Sequence, residues 1–152
     1  MSATIRNLES ALAGESQAFI KYKYFAKIAR ENGHEEVAKH FEHTADQEIQ
    51  HAWGHLELLI GKPSTKECLE KAIEGETYEF TTMYPQFYEN AVSEKNAQAS
   101  EEFVEQMIES KEHADAFKKH LNILKLAEKR FAALKKVEER HANAYKKVLE
   151  NL

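Results

Sequence analysis

From Lys95 to Leu152 the chain contains neither glycine nor proline, and all 152 residues hold only 5 Gly and 2 Pro. A chain so poor in turn-formers makes a few long helices and lacks the reversals that a many-stranded β protein needs. As one helix, the stretch after Lys95 would run to about 80 Å at 1.5 Å per residue, too long for a compact monomer. Two helices are therefore expected, about Ala97–Leu121 and Leu124–Glu150, separated near Asn122. Only a dimer with exchanged helices would use the unbroken form.

The first three helices have clearer ends. One is expected over Thr4–Arg30, with Ile5, Leu8, Leu12, Phe19, Tyr22, Phe25 and Ile28 at helical spacing and Asn32-Gly33 as the stop. A second spans Glu35–Leu59 and ends at Gly61-Lys62-Pro63. Ser64-Thr65-Lys66-Glu67 reads as a capping box for a third, Lys66–Glu94, which Pro85 should bend. The expected class is all-α: a four-helix bundle with one extra helix inserted before the last, forming a single domain over residues 1–152.

Charge and composition exclude several functions. A net charge of -5 offers no basic footprint for nucleic acid. No apolar run approaches the roughly 20 residues of a membrane span, and no signal-peptide pattern opens the chain, so a cytoplasmic protein is expected. Cys68 is the single cysteine, which excludes an internal disulfide and a thiolate metal site within one chain.

The third helix carries an anomaly. Glu76 and Glu79 share one face with Met83, and Phe80, Tyr84 and Phe87 surround them, so the helix is apolar nearly all round. Two carboxylates in such a setting are costly unless paired or bound to a metal. The chain also repeats itself. Leu8–Ser16 aligns without gaps on Leu69–Thr77, matching Glu15 to Glu76 with a glycine before each, where a neighbouring group could come close. Phe41, Glu48, His51 and Ala52 recur as Phe131, Glu138, His141 and Ala142. A degenerate copy lies between them: Phe103, His113 and Ala114, with Ser110 in place of the glutamate.

Glu48-x-x-His51 and Glu138-x-x-His141 therefore join Glu15 and Glu76. With 24 Glu and 8 His in the chain, one such pair means little, and Glu31-x-x-His34 is an accident broken by Gly33. Together the six reproduce the dimetal set of a helix bundle, one Glu from each of two helices and Glu-x-x-His from each of two others. Four carboxylates balance two divalent ions, with Glu48 and Glu138 as the expected bridges. His55 is read as a core histidine. Glu109 and His113 form a vacant copy; in an ungapped register His113 would replace His141 and leave the set one ligand short.

These stretches resemble the rubrerythrin family of ferritin-like diiron proteins. The matching segments are Ala13–Ala18, Tyr22–Ala26, Glu48–Ala52, Gly75–Phe80 with Met83-Tyr84-Pro85, and Glu138–Ala142. The resemblance implies two iron ions in an oxo-bridged centre held by Glu15, Glu48, His51, Glu76, Glu138 and His141. It implies a seventh ligand, Glu79, that one iron exchanges for His51 with redox state, and hydrogen bonds from Tyr22 and Tyr84 to ligand carboxylates. Glu79, Tyr22 and Tyr84 are thus the expected catalytic residues. It also implies a non-haem diiron peroxidase that reduces hydrogen peroxide to water, acting in oxidative stress as a homodimer, for which exchanged helices are one arrangement. The family's rubredoxin domain, with its Cys-x-x-Cys pairs, is not seen here, so an external electron donor such as rubredoxin is expected. The rival expectation is a ferroxidase that handles iron. Neither nucleic acid nor membrane is an expected partner.

Overall fold

The structure, a computed structural model, describes residues 2–151. It consists of α1 (Ala3–Glu31), α2 (Glu35–Ile60), α3 (Thr65–Tyr78), α4 (Tyr84–Ser93) and α5 (Ala97–Leu149). A π-helical turn, Glu79–Met83, joins α3 to α4 with no loop between them. Among the described residues there is no strand.

Local chemistry sets most of the ends. Gly33 (φ 80) and Gly61 (φ 67) take the left-handed backbone that closes α1 and α2, a conformation glycine adopts without penalty. Ser64 Oγ accepts the Glu67 N–H at 3.3 Å, while Glu67 Oε2 accepts the Ser64 N–H at 2.7 Å, so the expected capping box opens α3. The Ser64 hydroxyl, followed by its backbone N–H, holds the Glu67 carboxyl below its ordinary value. Pro85 lies in the first turn of α4, and because the π turn runs straight into that helix its missing N–H leaves the ladder one donor short there. The turn before α5 uses Lys95 at φ 57, a position where glycine would be less strained.

The residues cluster into two units, Met1–Pro63 and Ser64–Leu152. The first is a hairpin of α1 and α2. Its seam is made of alanines, with Ala26, Ala29, Ala38, Ala45 and Ala52 all buried, and small side chains let two helix backbones approach closely. Tyr22, Phe25 and Phe41 cluster part-way along the hairpin, with ring centroids 5.6–6.3 Å apart. Arg30 ties the hairpin at the turn, donating to Glu42 at 2.9 Å and to Glu35 at 3.0 Å. In the second unit, α3, the π turn and α4 run along α5, with Ala91, Ser110, Ala114 and Leu121 buried. Tyr84, Phe87 and Phe103 form a matching ring cluster, with centroids 5.6–6.2 Å apart. Among the described residues no large side chain is fully buried, as two-helix layers dictate.

The all-α class is as expected, but the break near Asn122 does not occur. α5 is one helix of 53 residues, so the expected inserted helix and last helix are a single element. Asparagine in a helix costs a few tenths of a kcal/mol relative to better formers, too little to interrupt a ladder with no glycine or proline. Local propensity therefore prevails over the compactness expected of a monomer. Leu121 is the last buried residue of α5, and beyond it Phe131, Leu134, Tyr145 and Val148 are exposed. The close approach expected at the two glycines is also absent, since a Cβ at Gly14 or Gly75 would meet nothing within 4 Å among the described residues.

The two units repeat one another with one residue of difference. Leu8, Leu12 and Glu15 correspond to Leu69, Ile73 and Glu76. Tyr22, Phe25 and Ala29 then correspond to Tyr84, Phe87 and Ala91, one residue later. The π turn lies between the two sets and absorbs that residue, which is how a helix takes up a single-residue insertion without rotating its downstream part. From there the register runs unbroken onto α5, pairing Phe41 with Phe103, Glu48 with Ser110, His51 with His113 and Ala52 with Ala114.

Candidate metal centre

In the first unit, α1 contributes Glu15 and α2 contributes Glu48 and His51, one turn apart. One potential ligand atom from each lies within 4.8 Å of the other two. His51 Nδ1 is 3.1 Å from Glu48 Oε2. Glu48 is mostly sheltered, at 18% side-chain exposure, whereas the His51 ring is open at 59%. A carboxylate pair and an imidazole converging on one point is chemistry for a divalent ion, since the two negative charges repel unless something positive lies between them.

In the second unit, Glu76 and Glu79 both face α5. Glu76 Oε2 is buried and accepts no hydrogen bond among the described residues, and His113 Nδ1 lies 3.5 Å from it. An orphaned carboxylate oxygen costs on the order of 1–3 kcal/mol. Glu79 Oε2 accepts a hydrogen bond from Ser110 Oγ at 3.0 Å. The π turn begins at the second of this pair. Glu79, three residues after Glu76, shares its face by ordinary helical spacing, and the wider turn that follows brings Tyr84 onto the same side despite the extra residue. Glu79 has no carboxylate counterpart in the first unit.

Burial, followed by the charge of Glu79 and then those of Glu102, Glu76 and Glu109, raises the Tyr84 phenol above its usual value. Within their own hairpins, Tyr22 and Tyr84 contact phenylalanine rings; among the described residues no hydrogen bond to a carboxylate is made there.

The structure therefore brings Glu15, Glu48 and His51 together, and Glu76 and Glu79 together, but it sets His113 and not His141 beside Glu76. Glu138 and His141 pair with each other, Nδ1 to Oε2 at 3.6 Å, on the exposed stretch of α5, where Glu138 is 66% exposed. The unbroken helix is the reason: α5 still reaches α3 at Lys125, 3.6 Å from Glu70, but Glu138 lies about 20 Å further along the same straight helix at 1.5 Å per residue. By motif alone Ser110 and His113 are the weaker pair, for want of a glutamate. The aromatic register Tyr22/Tyr84, Phe25/Phe87, Phe41/Phe103 is the signal that selects them.

Helix pairs carrying inward carboxylates and an i, i+3 imidazole define the all-α, ferritin-like class. The family model described as Rubrerythrin matches residues 6–121, and the chain belongs to the rubrerythrin family. It is 34% identical over 131 residues to nigerythrin of Nitratidesulfovibrio vulgaris, covering 77% of this chain and 65% of that one. It is 41% identical over 106 residues to rubrerythrin of Porphyromonas gingivalis, covering 61% and 53%. A putative rubrerythrin of Methanocaldococcus jannaschii is 34% identical over 143 residues, covering 80% and 70%. Among solved structures, fully reduced, all-ferrous nigerythrin is 32% identical, covers 82% of this chain and 69% of that chain, and gives a TM-score of 0.41. The chain thus spans about two thirds or less of the nigerythrin and P. gingivalis relatives. Among the described residues no helix is long and apolar enough to cross a membrane.

Proposed function

We propose that this chain is a non-haem diiron peroxidase, reducing hydrogen peroxide to water with electrons from an external donor such as rubredoxin. The Glu15–Glu48–His51 cluster carries the reading. The residues fit two iron ions, because the orphaned Glu76 oxygen has no hydrogen-bond partner among the described residues and the donors are hard oxygens plus imidazole. The ligand set we favour is Glu15, Glu48 and His51 with Glu76, Glu79 and His113; the sequence-based set has Glu138 and His141 in its second half. Both halves would belong to one ferritin-like domain, and the half-buried faces of the hairpins favour a homodimer.

When bound, the two ions supply the two electrons that, with two protons, convert H2O2 into two waters. The chain's own residues do the rest. Glu15, Glu48, Glu76 and Glu79 offset the charge of two divalent ions, and the imidazoles complete the coordination without adding charge. Tyr84 stays protonated well into alkaline conditions and so remains a hydrogen-bond donor next to Glu79.

The test is anaerobic mixing. Iron-loaded, fully reduced protein meets stoichiometric H2O2 in one run and O2 in another, with the near-UV absorption of the oxidised centre followed in time. Much faster oxidation by peroxide supports the proposal. Preference for O2 with continued turnover of added Fe(II) makes the protein a ferroxidase, and no oxidised band refutes an iron centre.

A further inference from the structure

The repeat places a serine where a bridging carboxylate belongs. Ser110 corresponds to Glu48, and His113 and Ala114 correspond to His51 and Ala52 in the same register. The first unit offers two carboxylates and one imidazole. With serine at 110, the matching positions of the second offer one of each, Glu76 and His113. Yet Ser110 is not a neutral gap. It is the buried polar residue among the described ones, at 4% exposure, and its hydroxyl hydrogen-bonds Glu79 at 3.0 Å. A glutamate side chain there would occupy the space into which Glu79 now reaches.

We infer that Glu79 is a resident ligand standing in for the carboxylate missing at position 110, and that Ser110 is the positioning residue that holds it. This rests on the dimetal reading above. The π turn delivers the replacement from the helix opposite α5, and the count returns to two carboxylates and one imidazole from each unit. A serine hydroxyl donating to one carboxylate oxygen leaves the other free to bind metal and fixes the side-chain rotamer, lowering the ordering cost of coordination. It follows that Glu79 stays in place in both redox states. Exchange with His51, which the sequence resemblance implied, would strip the second unit of a carboxylate it cannot spare.

The experiment reads metal binding and not turnover. Metal-free protein is titrated anaerobically with Co(II), whose visible absorption reports coordination, and stoichiometry is checked by metal analysis. Wild type should take two ions, Glu79→Ala one tightly and the other at least about tenfold more weakly, and Ser110→Ala two with the second weakened severalfold. Ser110→Glu/Glu79→Ala should regain two, because a carboxylate returns at the register position. Circular dichroism checks each fold, and Glu79→Gln replaces Glu79→Ala if that variant fails to fold. Full two-ion binding by the Glu79 variants overturns the inference, all the more if Glu138→Ala loses an ion. Wild type that binds no Co(II) overturns the dimetal reading with it.

Discussion

Glu76 should cost the metal-free protein stability. Its Oε2 is buried, accepts no hydrogen bond among the described residues, and has the His113 ring 3.5 Å away. A buried acceptor left unsatisfied costs on the order of 1–3 kcal/mol, more when charged. Glu76→Leu removes that penalty and adds apolar contact on a half-buried face, and the exposed His113 loses little. At about 2–4 °C per kcal/mol for a chain of this size, the metal-free variant should melt roughly 2–12 °C higher than wild type. The metal-loaded proteins should rank the other way. A ligand at 100 times its dissociation constant adds about 2.7 kcal/mol, and the variant forfeits most of that gain. Thermal melts by circular dichroism, with chelator and with saturating Fe(II) under anaerobic conditions, give all four values. A metal-free Glu76→Leu protein that melts lower than wild type, or one that keeps the full metal-induced rise, would refute the reasoning.

Three further outcomes are expected. Lys95→Gly relieves the left-handed backbone at φ 57 and should raise stability by about 0.5–1 kcal/mol in urea unfolding, with unchanged m. Ser64→Ala removes the capping box of α3 and should cost about 1 kcal/mol in the same assay, whereas Ser64→Gly costs less. The Tyr84 phenol is raised in the folded state by burial first and by Glu79 next, so its contribution to stability is fully present below the unfolded tyrosine value of about 10 and is lost as pH rises through the folded value. Tyr84→Phe should accordingly flatten the alkaline loss of stability and remove one late phenolate from the ultraviolet titration; an unchanged late titration would assign it to another tyrosine.

The sequence is legible where a single residue decides local structure. Gly33, Gly61 and the Ser64–Glu67 box place three helix ends within a residue or two, and the Glu15/Glu76 repeat points to the acidic face. Two features are hidden. The π turn leaves no compositional mark, because it shows only as one residue of slippage between Glu15–Tyr22 and Glu76–Tyr84, beyond the end of the ungapped match. The unbroken α5 is visible in the absence of glycine and proline, but an expectation of compactness opposes it; the preference for Glu138-x-x-His141 over Ser110-x-x-His113 rests instead on only the former having both ligands. A complete motif is the more conspicuous signal, and a continuous register of aromatics the more physical one. In the structure, the register sets which histidine lies beside Glu76.

The π turn has a consequence for how such a chain can change. Because Glu79–Met83 holds one residue more than its counterpart in α1, deleting Glu79 alone would leave Tyr84, Phe87 and Phe103 in their present places and convert the helix to the regular form of α1. Elsewhere in a helix a one-residue deletion rotates everything downstream by about 100° and destroys the packing. Here the extra carboxylate is a detachable part: a single codon can be lost or gained without disturbing the scaffold that surrounds it.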